Sequence, residues 1–243
     1  MWADIIDLRD FYQSSLGRAV VRVVELRLRT IWKRYVGMRI LGIGFATPYL
    51  GGYVKDSERT IAVMPAGQGV LRWPAEADSL VTLADEANLP LPDRSIDRIV
   101  MVHCLEGTAE VRAVLRECWR VLADGGRLVV VVANRRGFWA RADSAPFAHG
   151  RPFSTSQITR LLRDSLFVPL ESESALFMPP FWWRLFGAWP MWLENLGTRL
   201  FPGFAGVLII KAEKQIYAAP FDGVPARTVR VVVAPRTAPA DPA

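Results

Sequence analysis

Three short groups of residues in this chain have the types and spacing to do chemistry. Gly42-Ile43-Gly44 closes an apolar run at residues 39–43. A glycine-rich turn there lets backbone approach a ligand closely; read alone, the same pattern is an ordinary strand-to-helix turn. His103 ends another apolar run, residues 98–102. An imidazole in that place is either a general base, since it takes a proton near neutral pH, or a structural side chain beside the strand. Asp85 and Glu86 follow a third run, residues 80–83, as loop carboxylates that accept hydrogen bonds from a ligand or are simply solvated. Cys104 and Cys118 lie in apolar surroundings, so buried free thiols are expected rather than a disulfide scaffold. With two His and two Cys and no ligand-type spacing, no metal site is expected.

These residues need elements to hold them. Residues 4–34 carry Val20, Val23, Val24, Leu26, Leu28 and Ile31 at rough helical spacing and predict a helix. Runs at 39–43, 60–64, 80–83, 98–102 and 127–133 predict buried strands, with 168–170 and 206–212 as two more. Between them, residues 110–122 place Val111, Val114, Leu115, Cys118, Val121 and Leu122 on one helical face, and Asp124-Gly125-Gly126 predicts a glycine-terminated helix end. Residues 155–166 form a second amphipathic pattern, with Ser154 and Gln157 spaced for a capping box. Strands alternating with helices imply a mostly parallel sheet covered by helices. Residues 215–243 are rich in Ala and Pro, lack a lasting period and are expected to be disordered.

The 243 residues are 51% hydrophobic, enough for one sizeable core. The formal net charge is +6, carried mostly by Arg, since only Lys33, Lys55, Lys211 and Lys214 are lysines. This balance favours anionic partners, but it is spread along the chain without a basic block, which argues against nucleic acid. The early Asp residues of MWADIIDLRDFYQ argue against a secretory leader, and no run of about 18 apolar residues predicts a spanning helix, so a cytoplasmic location is expected.

Residues 84–132 read ADEANLPLPDRSIDRIVMVHCLEG, then VLRECWRVLADGGRLVVVV after a short interval. Leu89-Pro90-Leu91, Asp93, Ser95-Ile96-Asp97, Leu105-Glu106, and Arg120-Val121-Leu122 with Gly125-Gly126 carry a resemblance. In order, spacing and type they are similar to the class I S-adenosylmethionine (SAM)-dependent methyltransferases, especially the group called type 11. RPFSTSQITRLLRDSLF resembles the same family's later helix, and the likeness covers roughly residues 36–213. It implies a Rossmann-like three-layer sandwich with a mostly parallel seven-stranded sheet and helices on both faces. Residues 1–35 would form an N-terminal helical segment, 36–214 the Rossmann-like domain, and 176–204 an aromatic-rich insertion.

The resemblance also implies a cofactor, SAM, at the carboxyl ends of the strands. In the family's acidic-x-G-x-G-x-G loop, Gly44 matches the first glycine and Ala46 the second, with Phe45 between them; Pro48 replaces the third, and Gly42 replaces the acidic residue. Met64 stands where a carboxylate holds the ribose hydroxyls, so about 1.5–3 kcal/mol per lost charge-assisted bond weakens cofactor binding by roughly tenfold to a hundredfold. Gln68 partly substitutes if its loop folds back. Asp85 matches the residue that accepts the adenine amino group, and Glu86 takes that part if the register slips by one. His103 faces the cleft as a lining residue or general base. Where the family often carries His after Leu-Glu, this chain has Gly107. Three functional readings follow: a methyltransferase for a small or apolar molecule, a catalytically inactive methyltransferase-like binding or regulatory protein, or a peripheral membrane or nucleic-acid-associated factor using the basic surface.

Residues 176–204 hold four tryptophans and five phenylalanines among prolines. In the resembling family this region builds the substrate side of the cleft, which points to Phe177, Trp182 and Trp183. The same run reads as a helical insertion packed on the sheet edge, as an apolar lid or pocket, or as a docking surface for a membrane or protein partner.

Overall fold

The computed structural model describes residues 2–32, 35–142, 145–182 and 191–216. Seven strands form one sheet in the order β3-β2-β1-β4-β5-β7-β6. They are β1 (Arg39–Gly44), β2 (Arg59–Pro65), β3 (Val81–Ala84), β4 (Ile96–Val102), β5 (Leu122–Ala133), β6 (Phe167–Ala175) and β7 (Val207–Lys214). The first five run parallel, while β7 lies antiparallel to both of its neighbours, β5 and β6. Strand order reverses between β1 and β4, which opens a crevice at their carboxyl ends.

Alternate residues of the central strands feed two cores. Ile40, Val100, Val129, Val131 and Ile209 pack on one face with Val20, Val23, Val24 and Leu28 of α2 (Ser15–Ile31). Leu41, Ile99, Met101, Leu128, Val130 and Ile210 pack on the other. There they meet Val114, Leu115 and Cys118 of α4 (Val111–Val121), and Ile158 and Leu162 of α5 (Thr155–Asp164). The expected three-layer, mostly parallel architecture is therefore present, with helices on both faces. Both cysteines are buried free thiols.

Several boundaries differ from the sequence reading, each for a local reason. The helix expected over 4–34 is two, α1 (Ile5–Gln13) and α2, broken at Ser14. Ser14 donates its hydroxyl to Phe11 O (2.6 Å) and accepts from Gly17 N (3.0 Å), closing one helix and capping the next. A short α3 (Thr47–Leu50) interrupts the expected loop after β1. Helix α4 does not end on the glycine pair: Leu122 turns extended to pair with Ile96, and Gly125 (φ +72°) serves the bend beyond. Strand β6 extends well past 168–170 because its outer positions are polar, as an edge strand allows. The capping box on α5 is present as expected, with Ser154 and Gln157 exchanging both bonds. Trp183 and all of the expected tail except Gln215 and Ile216 lie outside the described residues.

The stretch of motif-like residues before α4 acts as a clasp. Arg120 donates to Leu91 O (3.0 Å) and Leu89 O (3.1 Å) and pairs with Glu117 and Asp93. Glu117 in turn accepts from Leu89 N at 2.7 Å. These contacts pin the loop after β3 onto the helix beside the crevice.

Candidate functional site

The crevice is built from the ends of β1, β2 and β4. Gly44, in the left-handed region at φ +77°, sits so close to β4 that a Cβ there would lie 2.2 Å from Val102 O. Phe45 N donates to that same carbonyl at 2.9 Å. His103 follows β4 at φ 49°, a conformation costly for a side-chain-bearing residue and held here by its surroundings. The loop after β2 folds back, with Gln68 N on Pro65 O (2.9 Å), and buries Gln68. Gln68 Nε2 donates to His103 O (3.0 Å), while its Oε1 is buried and accepts no hydrogen bond among the described residues.

The space above these residues is filled by α1 and the residues before it. Asp4 caps α1 by accepting from Ile6 N (2.7 Å), and Ile5, Leu8 and Tyr12 form its buried face. Ile5 N donates to Gln68 O at 3.1 Å. The Tyr12 hydroxyl lies 2.8 Å from His103 Nε2 and 3.1 Å from the Tyr49 hydroxyl, and its ring stacks on Phe45 with centroids 5.3 Å apart. The Trp2 indole rests on two glycines. A Cβ on Gly67 would lie 2.6 Å from Trp2 Cδ1 and Nε1, and one on Gly107 would lie 2.4 Å from Trp2 Cε3.

Burial sets the protonation states. It pushes His103 down to about 3, helped by the charge of nearby His149, so the imidazole is neutral across the physiological range. Burial also raises Tyr12 and Tyr49, the pair sharing a hydrogen bond. Glu106, beyond β4, is pushed up to about 7 by burial, against the opposing bond that its Oε1 accepts from Ala133 N at 2.9 Å. Its Oε2 is buried with no hydrogen-bond partner among the described residues.

Beyond His103, ring contacts lead outward to Phe147 (4.7 Å between centroids) and from Phe147 to Trp139 (5.6 Å). Past them, beside the start of β7, lies a groove of about 420 Å³ lined by Phe138, Phe177, Pro179, Phe181, Trp182 and Phe204, among others. Its outer wall includes α6 (Met191–Leu200), which is tied to the chain after β6 by Glu194 accepting from Leu176 N (3.1 Å) and Phe177 N (2.8 Å).

A model of the methyltransferase domain matches residues 41–130, from β1 into β5. The chain is 39% identical over 90 residues to a probable S-adenosylmethionine-dependent methyltransferase of Mycobacterium tuberculosis, over 36% of this chain and 32% of that protein. The chain thus spans about a third of the length of the curated relatives it matches first. Among solved structures, a possible histamine N-methyltransferase of Thermotoga maritima superposes with a TM-score of 0.60 at 19% identity, over 87% of this chain and 96% of that one. A putative methyltransferase of Haloferax volcanii, in complex with a methyltransferase activator, gives 0.63 at 15% identity, over 88% and 100%. Over residues 41–130 the chain is similar to methyltransferase domains, and its fold is that of the solved methyltransferases.

Within this fold the structure gathers Gly44, Phe45 and His103 at one point, with Gln68 beside them. Gly42 is buried in β1 and faces α3: a Cβ on it would meet Leu50 Cδ1 at 2.6 Å. Ala46 is buried at the start of α3. Met64 is fully buried in the core that also holds α1 and α2, and its sulfur accepts from Leu71 N at 3.4 Å. Asp85 is exposed and accepts from Ala87 N (2.8 Å), shaping its own turn, with half-buried Glu86 next to it. Phe177 and Trp182 line the groove, away from the cleft. Sequence reasoning missed Trp2, Tyr12 and Glu106. The one available signal for Trp2 was Gly107, a missing side chain where a bulky one is usual in the resembling family.

Proposed function

We propose that this chain is a SAM-dependent methyltransferase acting on an apolar acceptor. What carries the reading is Gln68 Oε1, a buried acceptor with no hydrogen bond among the described residues, in the loop after β2 beside the Gly44 turn. That is the chemistry needed to receive a ribose hydroxyl, and it supplies what Met64 lacks. Gly44 would let backbone approach the cofactor, and Asp85 and Glu86 offer carboxylates at the end of β3 for the adenine amino group. S-adenosylmethionine, when bound, supplies an electrophilic methyl group on its sulfonium.

The chain's own residues do the rest. His103 Nε2 is committed to Tyr12, so it receives an acceptor's proton only when that pair opens and water raises the imidazole toward its ordinary range. Methyl transfer by in-line attack needs mainly positioning, and the rings of Phe45 and Phe147 beside His103 exclude water. The groove behind Trp139 suits the apolar part of the acceptor, taken from solution or from a membrane surface, with Phe177 and Trp182 as its contacts. Trp183 is assigned there by sequence alone.

Calorimetric titration of the purified chain with S-adenosylhomocysteine tests the reading. Micromolar binding that Gln68→Ala weakens about tenfold supports it. An affinity unchanged in Gln68→Ala removes Gln68 from the site. Absence of binding up to millimolar ligand leaves the alternative, a cofactor-free binding or regulatory module.

A further inference from the structure

We propose that residues 2–13 are a displaceable internal occupant of the cofactor cleft, with the Trp2 indole in the place of the adenine ring. This rests on the methyltransferase reading above. The indole, like adenine, is a fused five- and six-membered aromatic ring. Its five-membered edge lies against Gly67, in the loop after β2, and its six-membered edge against Gly107, in the loop after β4. Those two loops flank the end of β1, where a nucleoside binds in a sheet of this topology. Position 107 can carry no side chain while Trp2 is in place, because the Cβ itself would overlap the ring.

The rest of the segment completes the substitution. Ile5 N holds Gln68 O, Tyr12 takes His103 Nε2, and the Tyr12 ring covers Phe45 beside the Gly44 turn. Gln68 O, His103 and Phe45 therefore already have partners from α1, whereas Gln68 Oε1 accepts no bond among the described residues and Asp85 bonds only within its own turn. The segment is also built to leave as a unit. It is separated from α2 by the break at Ser14, where the helix ends and restarts, while α2 keeps its own buried face of Val20, Val23, Val24 and Leu28. Trp2 is only half-buried, and Asp4, Ile6, Asp7 and Asp10 face outward. A ligand that binds only the open form is weakened by the fraction of time the cleft is open, so the segment sets the apparent affinity for the cofactor.

The test pairs calorimetry with amide hydrogen exchange, using S-adenosylhomocysteine on the full chain and on Trp2→Ala. Trp2→Ala is expected to bind roughly tenfold more tightly than the wild type. In the wild type, ligand is expected to speed exchange in residues 5–13 while slowing it around Gly44 and Gln68. Binding by Trp2→Ala alone would support the proposal most strongly. Equal affinity in the two proteins, with exchange in residues 5–13 unchanged or slowed, overturns the occupant and leaves the methyltransferase reading intact. No binding to either protein overturns both together. If Trp2→Ala fails to fold, as judged by circular dichroism, the wild-type exchange pattern decides alone.

Discussion

Two aromatic regions lie at the same edge of the sheet, and the chain treats them in opposite ways. Over β1 and β4, Tyr12, His103 and Phe147 are 6%, 6% and 2% exposed, filled in by the chain itself. Beside β5 and β7, Phe181, Trp182 and Phe204 are 58%, 42% and 50% exposed around an open groove. The difference lies in polar chemistry. In the cleft Tyr12, Tyr49 and His103 carry a hydroxyl or a ring nitrogen, and these find one another at 2.8 and 3.1 Å. A buried polar group left without such a partner would be costly, so the cleft is stable either filled by α1 or filled by a ligand with matching groups. The groove has an almost wholly apolar lining, so its exposure to water is unfavourable and it has more to offer an apolar occupant than a polar ligand.

The contrast can be broken by mutation. Tyr12→Ala should cost about 3 kcal/mol in urea unfolding, as for removal of a large buried ring, whereas Phe181→Ala should stay within about 0.5 kcal/mol. Similar losses at the two positions would mean that the groove is core as much as the cleft is.

Glu106 gives a second effect, of nearly the same size and dependent on pH. Its folded value is raised to about 7 from 4.5, so its neutral form favours the fold. That contribution is complete below about pH 4.5 and is lost as pH rises through 7. The stability of Glu106→Gln relative to wild type should therefore climb by roughly 3 kcal/mol between pH 4.5 and 8. A flat difference in melting temperature across that range would show that Glu106 is solvated. His103 works in the opposite sense. Its folded value is lowered to about 3, so its contribution is present above the ordinary imidazole value and is lost as pH falls from about 6.5 toward 3.

Smaller still, Tyr12→Phe keeps the ring and removes only the hydroxyl bonded to His103 and Tyr49. About 1 kcal/mol should be lost in urea unfolding, and no loss would remove that hydroxyl as an anchor of α1. On the groove side, Phe181→Ala combined with Trp182→Ala should leave stability within about 0.5 kcal/mol but reduce co-sedimentation with phosphatidylglycerol vesicles. Wild-type chain that stays in the supernatant would limit the groove to acceptors delivered from solution.

Composition, period and spacing determined much of this protein. Alternation of short apolar runs with amphipathic helices specified a mostly parallel sheet with two faces to cover, because buried strands and one-sided helices have few other ways to pack. Ser154 and Gln157 specified a helix start, since a capping box is satisfied within four residues. The 84–132 stretch was legible through its family resemblance, and in the structure Arg120 closes a clasp there on Leu89, Leu91, Asp93 and Glu117. The site was less legible. Gly44 and His103 could be placed from the ends of their strands, but Met64 and Gly42 point into the packing, and which way a strand-end side chain points depends on the register of the whole sheet. Only the tertiary structure brought residue 2 against residues 67 and 107, and residue 12 against residue 103. Such contacts leave no local period, because they join segments far apart in the chain, and so the occupant of the cleft became visible only once the chain was folded.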